Sequence, residues 1–457
     1  MDRVQPPLAF IPPAFNLLVW RCAKLALPFL QRSQAAISDV QAENVEQLVE
    51  LYHRFQTGKI RLMIAFRHPT AGDPLCLAHL IWNLLPQVAR EQGIKLRSPS
   101  HFHFIYDRGI PLWAGSAVGW AFSQLGGTPI HRGKLDWMGL KSARNLFVNG
   151  QFPIAAAPEG GTNGHNEIVG PLEPGVAQLG FWCVEDLLAA GRSEEVWIVP
   201  LGIRYSYIHP PWQKIDALLT QLEADMGQSP EPPPLNSTRE EVLYHRLFGL
   251  GNHLLVRLEQ FYRRFYDRPL PDVATLPRSN EELAARLQVL LNEMLTVAEE
   301  SFNLRPQGNT IDRCRRVEQA GWDRIYRQDI DRIESLAPID RGLADRVAEE
   351  STMQMWHMRV VENSIAVTGK YVRENPTAER FAEMSSILWQ TTQFVAGQPS
   401  IRPPQLGKQR GHLSVGEPIS VTARWDSYQG SRRHGKQAVA KLTRDLQGAL
   451  EGLIVDS

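Results

Sequence analysis

The sequence predicts an α/β protein: a layered domain on a mostly parallel core sheet, with a large all-helical region. Three features point there. Short apolar strands alternate with helices across 60–208. Residues 209–410 are almost wholly helical in pattern. Strand character then returns at 412–421 (HLSVGEPISV), ahead of a last amphipathic helix.

Taken in order, residues 1–59 are expected to form an N-terminal helical segment. Within it, 13–32 (PAFNLLVWRCAKLALPFLQR) is mostly apolar, with Trp20, Arg21, Lys24 and Arg32 interspersed. That composition suits a membrane interface, aromatic and leucine side chains inward and cations at the headgroups. The competing expectation is a helix packed on the protein's own core. Residues 61–66 (RLMIAF) read as a buried strand and 74–90 as a helix. Strand composition at 101–107 (HFHFIYD) precedes a helix over 111–125 and a short strand at 128–131. A helix over 136–149 stops at Gly150. Strand 152–157, helix 174–190 and strand 196–205 (VWIVPLGIRY) complete the alternation.

In the helical region Ser279 and Glu282 have capping-box spacing. Behind them Leu283, Leu287, Leu290, Met294 and Ala298 share one face, and Trp322, Tyr326, Ile330 and Ile333 form another. The breaker-rich stretches 228–238 and 396–411 read as linkers. In the last helix, 435–454, Val439, Leu442, Leu446, Leu450 and Leu453 line one side.

The chain has 457 residues, of which 43% are hydrophobic and 21% charged, as in ordinary globular proteins. Length alone suggests about three domains. Lys+Arg and Asp+Glu are 49 each, so there is no global basic field to attract nucleic acid. Cys22, Cys76, Cys183 and Cys314 lie far apart, without zinc or C-x-x-C spacing, which points to a reducing, cytoplasmic compartment. No run approaches the ~20 apolar residues of a spanning helix. The uncharged stretch 4–20 is broken by Pro6, Pro7, Pro12 and Pro13. Asp2 balances Arg3, and no secretory signal is expected.

Four blocks carry chemistry. After the first strand comes Arg67-His68-Pro69-Thr70-Ala71-Gly72-Asp73-Pro74. A histidine and an aspartate five apart in a Pro/Gly turn can fold back to meet. The carboxylate then holds one imidazole nitrogen protonated and aims the other outward, as a base for a substrate hydroxyl. The second block, Ala157-Pro158-Glu159-Gly160-Gly161-Thr162-Asn163-Gly164, also ends a strand. Its glycines let backbone N–H groups approach an anion or oxyanion, and Glu159 can orient a hydroxyl or the His68 turn. The third, Gly126 to Arg132, puts an arginine fork after a short strand, suited to a phosphate. The fourth is Val199-Pro200-Leu201-Gly202-Ile203. No G-x-S-x-G elbow surrounds Ser116 or another serine, and neither Walker A nor G-x-G-x-x-G occurs.

In this order the blocks resemble the glycerolipid acyltransferase superfamily of lysophosphatidic acid and glycerol-3-phosphate acyltransferases. His68 to Asp73 looks like its N-H-x-x-x-x-D. Gly127 to Arg132 is similar to G-x-x-F-I-x-R with altered spacing, Ala157 to Asn163 to F-P-E-G-T-R-S, and Val199 to Leu201 to V-P-V. Pro171 to Gly175 resembles the family's P-F-K-x-G. The resemblance implies an O-acyltransferase of phospholipid biosynthesis, with acyl-CoA or acyl carrier protein as acyl donor and no metal or resident cofactor. The glycerolipid acceptor would be one such as lysophosphatidic acid. His68 would be the base, with Asp73 and Glu159 beside it in the catalytic set. Arg132, Gly160, Gly161, Thr162 and Arg67 would bind the acceptor. The expected partners are membrane lipids and the acyl donor, not nucleic acid, and the expected location is cytoplasmic and peripheral on the membrane.

Departures from the pattern are specific. Arg67 replaces Asn or Ser, Gly161 stands where Thr is expected, and Thr162 and Asn163 replace Arg and Ser. Two rival readings follow: an acyltransferase for a non-phosphorylated acceptor, and a catalytically inactive lipid-binding protein on the same fold. Intact His68, Asp73 and Glu159 count against the second. Gly416-Glu417-Pro418-Ile419 resembles the G-x-P-I strand that closes the family's catalytic sheet. The resemblance therefore divides the chain into 1–59, an acyltransferase domain at 60–208, a helical insertion at 209–410, and a return to that domain at 411–457, beside 196–205.

Overall fold

The computed structural model describes residues 3–131, 136–228, 236–271, 277, 279–365, 367, 370–398 and 403–455. The chain forms two units: Ala9–Ile208 with Lys408–Ser457, and Met1–Leu8 with His209–Gly407.

The first unit is built on β1 (Ile37–Glu43), β2 (Ile60–Phe66), β3 (His103–Asp107), β4 (Gly127–Ile130), β5 (Ile154–Ala156), β6 (Glu195–Tyr207), β7 (Gln409–Val415) and β8 (Ile419–Ser420). They make one sheet in the order β1-β7-β6-β2-β5-β3-β4, with β8 on β6. The sheet is mixed and mostly parallel. β2 pairs parallel with β5 and with β6, where Ile60 faces Glu195 and Phe66 faces Leu201. Every residue of β2 is buried, as its near-continuous apolar run requires of a strand covered on both faces. Arg61 is the exception in kind. Its guanidinium donates to the carbonyls of Phe147 (2.7 Å) and Gly150 (2.9 Å), capping the helix Trp137–Asn149.

Helices cover both faces. On one, Ile60, Leu62, Ile64 and Phe66 of β2 share a core with Trp20, Leu27, Leu48 and Tyr52 from the helices Leu17–Gln34 and Val45–Gln56. On the other, Met63 and Ala65 meet Phe147, Phe181, Leu442 and Leu446 from Trp137–Asn149, Gly175–Ala189 and Arg432–Val455. Helix 17–34 starts where the Asn16 side chain accepts from Leu18 N.

Several expectations are corrected. Residues 1–59 are not wholly helical: β1 pairs parallel with β7, Ile37 facing Gln409. Ser38, Asp39, Gln41 and Glu43 make it polar, as an edge strand tolerates. Helix 111–125 breaks into Ile110–Ala114 and Ser116–Gln124 at Gly115, whose φ is +95°. Helix 74–90 contains a π turn, Leu80–Leu84. Pro86 has no N–H for the Trp82 carbonyl four residues back, and Lys24 Nζ donates to that oxygen instead (2.6 Å). Strand 412–421 is two strands. β7 runs antiparallel to β6, from Val415 on Leu201 to Gln409 on Tyr207. After Gly416 to Pro418, β8 pairs farther back on β6, at Ile198 and Trp197.

The second unit is helical, with Leu255, Leu290, Met294, Val317, Met355 and Val361 in its core. Ser279 caps Asn280–Ser301 by accepting from Glu282 N (3.2 Å). Buried Arg286 and Arg313 pair with Glu259 and Glu299. The helix Thr310–Ile325 stops before Tyr326, so Trp322, Tyr326, Ile330 and Ile333 are not one helical face. Of the two breaker-rich stretches, 229–235 and 399–402 lie outside the described residues.

Candidate active site

β2 and β5 both end at the carboxyl edge of the parallel strands, where open α/β sheets bind ligands. Arg67 and His68 leave β2 there, and Glu159 follows β5. The turn after β2 brings His68 Nδ1 to 2.8 Å from Asp73 Oδ2. Thr70 closes the turn: its N–H donates to Asp73 Oδ2 (2.9 Å) and its hydroxyl to Oδ1 (3.2 Å). Tyr205, far away in sequence on β6, donates its hydroxyl to Asp73 Oδ1. Every other partner of this carboxylate is a donor, so Nδ1 carries the proton that His68 contributes. Nε2 is then the lone-pair nitrogen, and it makes no bond within the described residues. The Asp73 side chain is fully buried, whereas 22% of His68 is exposed. The imidazole sits edge-on to Phe66 at 5.8 Å.

Burial, then the negative charge of Asp73, pushes the Tyr205 hydroxyl well above its usual range. It therefore remains a donor. Burial likewise pushes the Cys76 thiol up to about 12, and its sulfur lies 3.5 Å from the Tyr205 oxygen. Cys76 is thus a packing thiol, not a nucleophile.

Glu159 does not touch the imidazole. Its Oε1 accepts from the backbone N–H of His68 (2.9 Å), and its Oε2 from Gly170 N (2.8 Å) and Asn163 Nδ2 (3.1 Å). It is a positioning residue that ties the β5 loop to the His68 turn. Gly160 has φ +70° and donates to Ala157 O (3.2 Å), so it serves the turn. Thr162 is exposed. The N–H groups of Gly161 and Thr162 make no bond within the described residues.

Arg67 departs from its expected role. It is fully buried, and its guanidinium donates to the carbonyls of His165, Asn166 and Ile168. A fork spent on the β5 loop has no face left for an acceptor. Asn166 extends the same loop to β6, its amide bonding both Tyr205 O (3.0 Å) and Tyr205 N (2.9 Å). Arg132 lies outside the described residues. Among the described residues flanking that segment in sequence, Asp136 accepts from His131 N (2.9 Å) and the Arg108 guanidinium, and caps the next helix at Gly139 N (3.1 Å). Tyr205 and Asn166 carried no signal in the sequence, because their partners are remote or backbone groups.

Among the described residues, no three His, Cys, Asp or Glu side chains gather to hold a metal ion. Neither protein-family models nor curated proteins nor solved structures match the chain.

Proposed function

We propose that the protein is an O-acyltransferase that moves a fatty acyl group from acyl-CoA or acyl carrier protein to a hydroxyl of a glycerolipid such as lysophosphatidic acid. The observation that carries this reading is the His68–Asp73 pair at the carboxyl edge, bonded through Nδ1 on a partly exposed imidazole. Nε2 takes the acceptor's hydroxyl proton as its oxygen attacks the thioester carbonyl. Asp73 stabilises the imidazolium that forms. The Gly161 and Thr162 N–H groups are the donors offered to the oxyanion. Collapse breaks the carbon–sulfur bond, the imidazolium returns its proton to the sulfur, and an ester and a thiol leave. The layered sheet, with the His68 and Glu159 blocks at one edge, supports the acyltransferase domain implied by the resemblance. In this reading 209–410 is a helical insertion between strands of that domain.

Thr162, neutral and exposed, and Arg67, enclosed, favour one alternative, a non-phosphorylated acceptor. Transfer by purified protein, tested with both donors on an acceptor panel, decides. Ester formation that His68→Ala abolishes supports the proposal. No transfer to any hydroxyl lipid overturns it in favour of a lipid-binding role. Arg132→Ala separates the acceptors by raising KM for a phosphorylated one alone.

Membrane contact belongs to the same proposal. Among the described residues no helix is long and apolar enough to cross a membrane. Helix 17–34 turns Trp20 and Leu27 into the core and leaves Leu18 (68%), Leu25 (83%) and Phe29 (70%) exposed. Arg21 and Arg32 flank that stripe, and the helix has no acidic residue. Such a face suits a cytoplasmic protein held peripherally on anionic lipid.

A further inference from the structure

We infer that Tyr205 is a positioning residue for the His68–Asp73 pair, setting through its hydroxyl how firmly Asp73 holds the protonated imidazole. The inference rests on the proposed acyl transfer for its kinetic part, but not for its titration part.

Three contacts carry it. The hydroxyl donates to Asp73 Oδ1 while the imidazole and Thr70 N–H use Oδ2. Each carboxylate oxygen therefore has its own set of donors, and the carboxylate cannot rotate without losing several bonds at once. Next, Tyr205 is held at the backbone. β6 runs on past Leu201, its last pairing with β2, and past it the Asn166 amide bonds both backbone groups of Tyr205 on one edge while β7 pairs the other. Last, the ring is buried in the core with Phe66 and Leu413, so water cannot replace its hydroxyl.

A donor on the far oxygen draws charge away from Oδ2 and weakens its attraction for the imidazolium. The pair is thus kept from holding the proton too tightly to return it to the leaving sulfur. Among the described residues, the titratable or charged groups next to it include Cys76, against the Tyr205 oxygen, Glu159, on the His68 backbone, and the buried Arg67 guanidinium, which is held by the His165 carbonyl. All three stay in place in the variants below.

The test is an NMR titration of the His68 imidazole in the full chain, run beside transfer kinetics. Tyr205→Phe is expected to raise the His68 pKa by about 0.5–1, the scale for one altered hydrogen bond to its counter-ion. Fluorotyrosine at 205, isosteric and a stronger donor, is expected to lower it. In transfer, Tyr205→Phe is expected to cut kcat about tenfold with little change in KM. A folded Tyr205→Phe protein with an unmoved titration overturns the inference, and so does a fluorotyrosine shift in the same direction as the Phe shift. If Tyr205→Phe does not fold, the fluorotyrosine titration decides alone. A wild-type protein that transfers nothing defeats the proposed function and leaves the titration to judge Tyr205.

Discussion

The side-chain amide of Asn166 bonds both the N–H and the carbonyl of Tyr205, standing in for a neighbouring strand where β2 has already ended. Arg67, the first residue after β2, grips the carbonyl of the same Asn166. The loop after β5 is therefore fastened to the ends of two strands, and the catalytic candidates sit between those fastenings. Rigid support of this kind is what a general base needs to keep a productive geometry.

His68→Ala is expected to lower the transfer rate at least ~100-fold, the usual scale for a lost general base. Asp73→Asn should lose most activity as well, since an amide offers Nδ1 no fixed carboxylate. Steady-state rates beside circular dichroism check both. Near-wild-type turnover by folded His68→Ala would rule out this base.

Arg67→Met is expected to destabilise the first unit by about 2–3 kcal/mol, because several buried carbonyls lose their donor at once. The loss should be the same with or without acceptor present. An unchanged denaturation midpoint, paired with a raised acceptor KM, would return Arg67 to a binding role.

Acid should weaken the first unit through His101. Burial pushes this imidazole down to about 3. Its Nδ1 accepts from Trp82 Nε1 (3.0 Å) and its Nε2 lies 2.7 Å from the Leu125 carbonyl, so only the neutral ring fits both partners. The unfolded chain binds this proton near pH 6.5 and the folded one does not. Stability is therefore fully present above about pH 6.5 and falls by about 1.4 kcal/mol per pH unit below it. Denaturant unfolding between pH 7 and 5 measures the slope. His101→Gln should flatten it by about one proton, and an identical slope would assign the acid effect elsewhere.

Leu25→Glu with Phe29→Glu is expected to reduce sedimentation with anionic vesicles several-fold while leaving the melting temperature unchanged, since neither side chain packs in the core. Equal sedimentation of the double variant would move the docking face off this helix.

What could be read from the sequence was local. The apolar run of β2 announces a buried strand. The five-residue spacing from His68 to Asp73 closes within one turn, and Ser279 caps the helix that follows it. These depend on neighbours a few residues apart, which pattern and turn chemistry encode directly. β1 was missed because its polar residues hide a strand that exists only when β7, far along the chain, pairs with it. Arg67 looked like a free cation until the β5 loop folded over it. Glu159 could orient a hydroxyl or the His68 turn, and which of the two it does is decided only when its carboxylate reaches the His68 backbone N–H. Tyr205 is an ordinary strand tyrosine until β6 is placed beside β2. In each case the deciding partner is a backbone group or a residue brought near only by strand order, and hydrogen bonding to a distant backbone leaves no residue-type pattern to read. Most elements and the His68–Asp73 spacing were thus written in the chain, while the support around that pair was settled by tertiary structure.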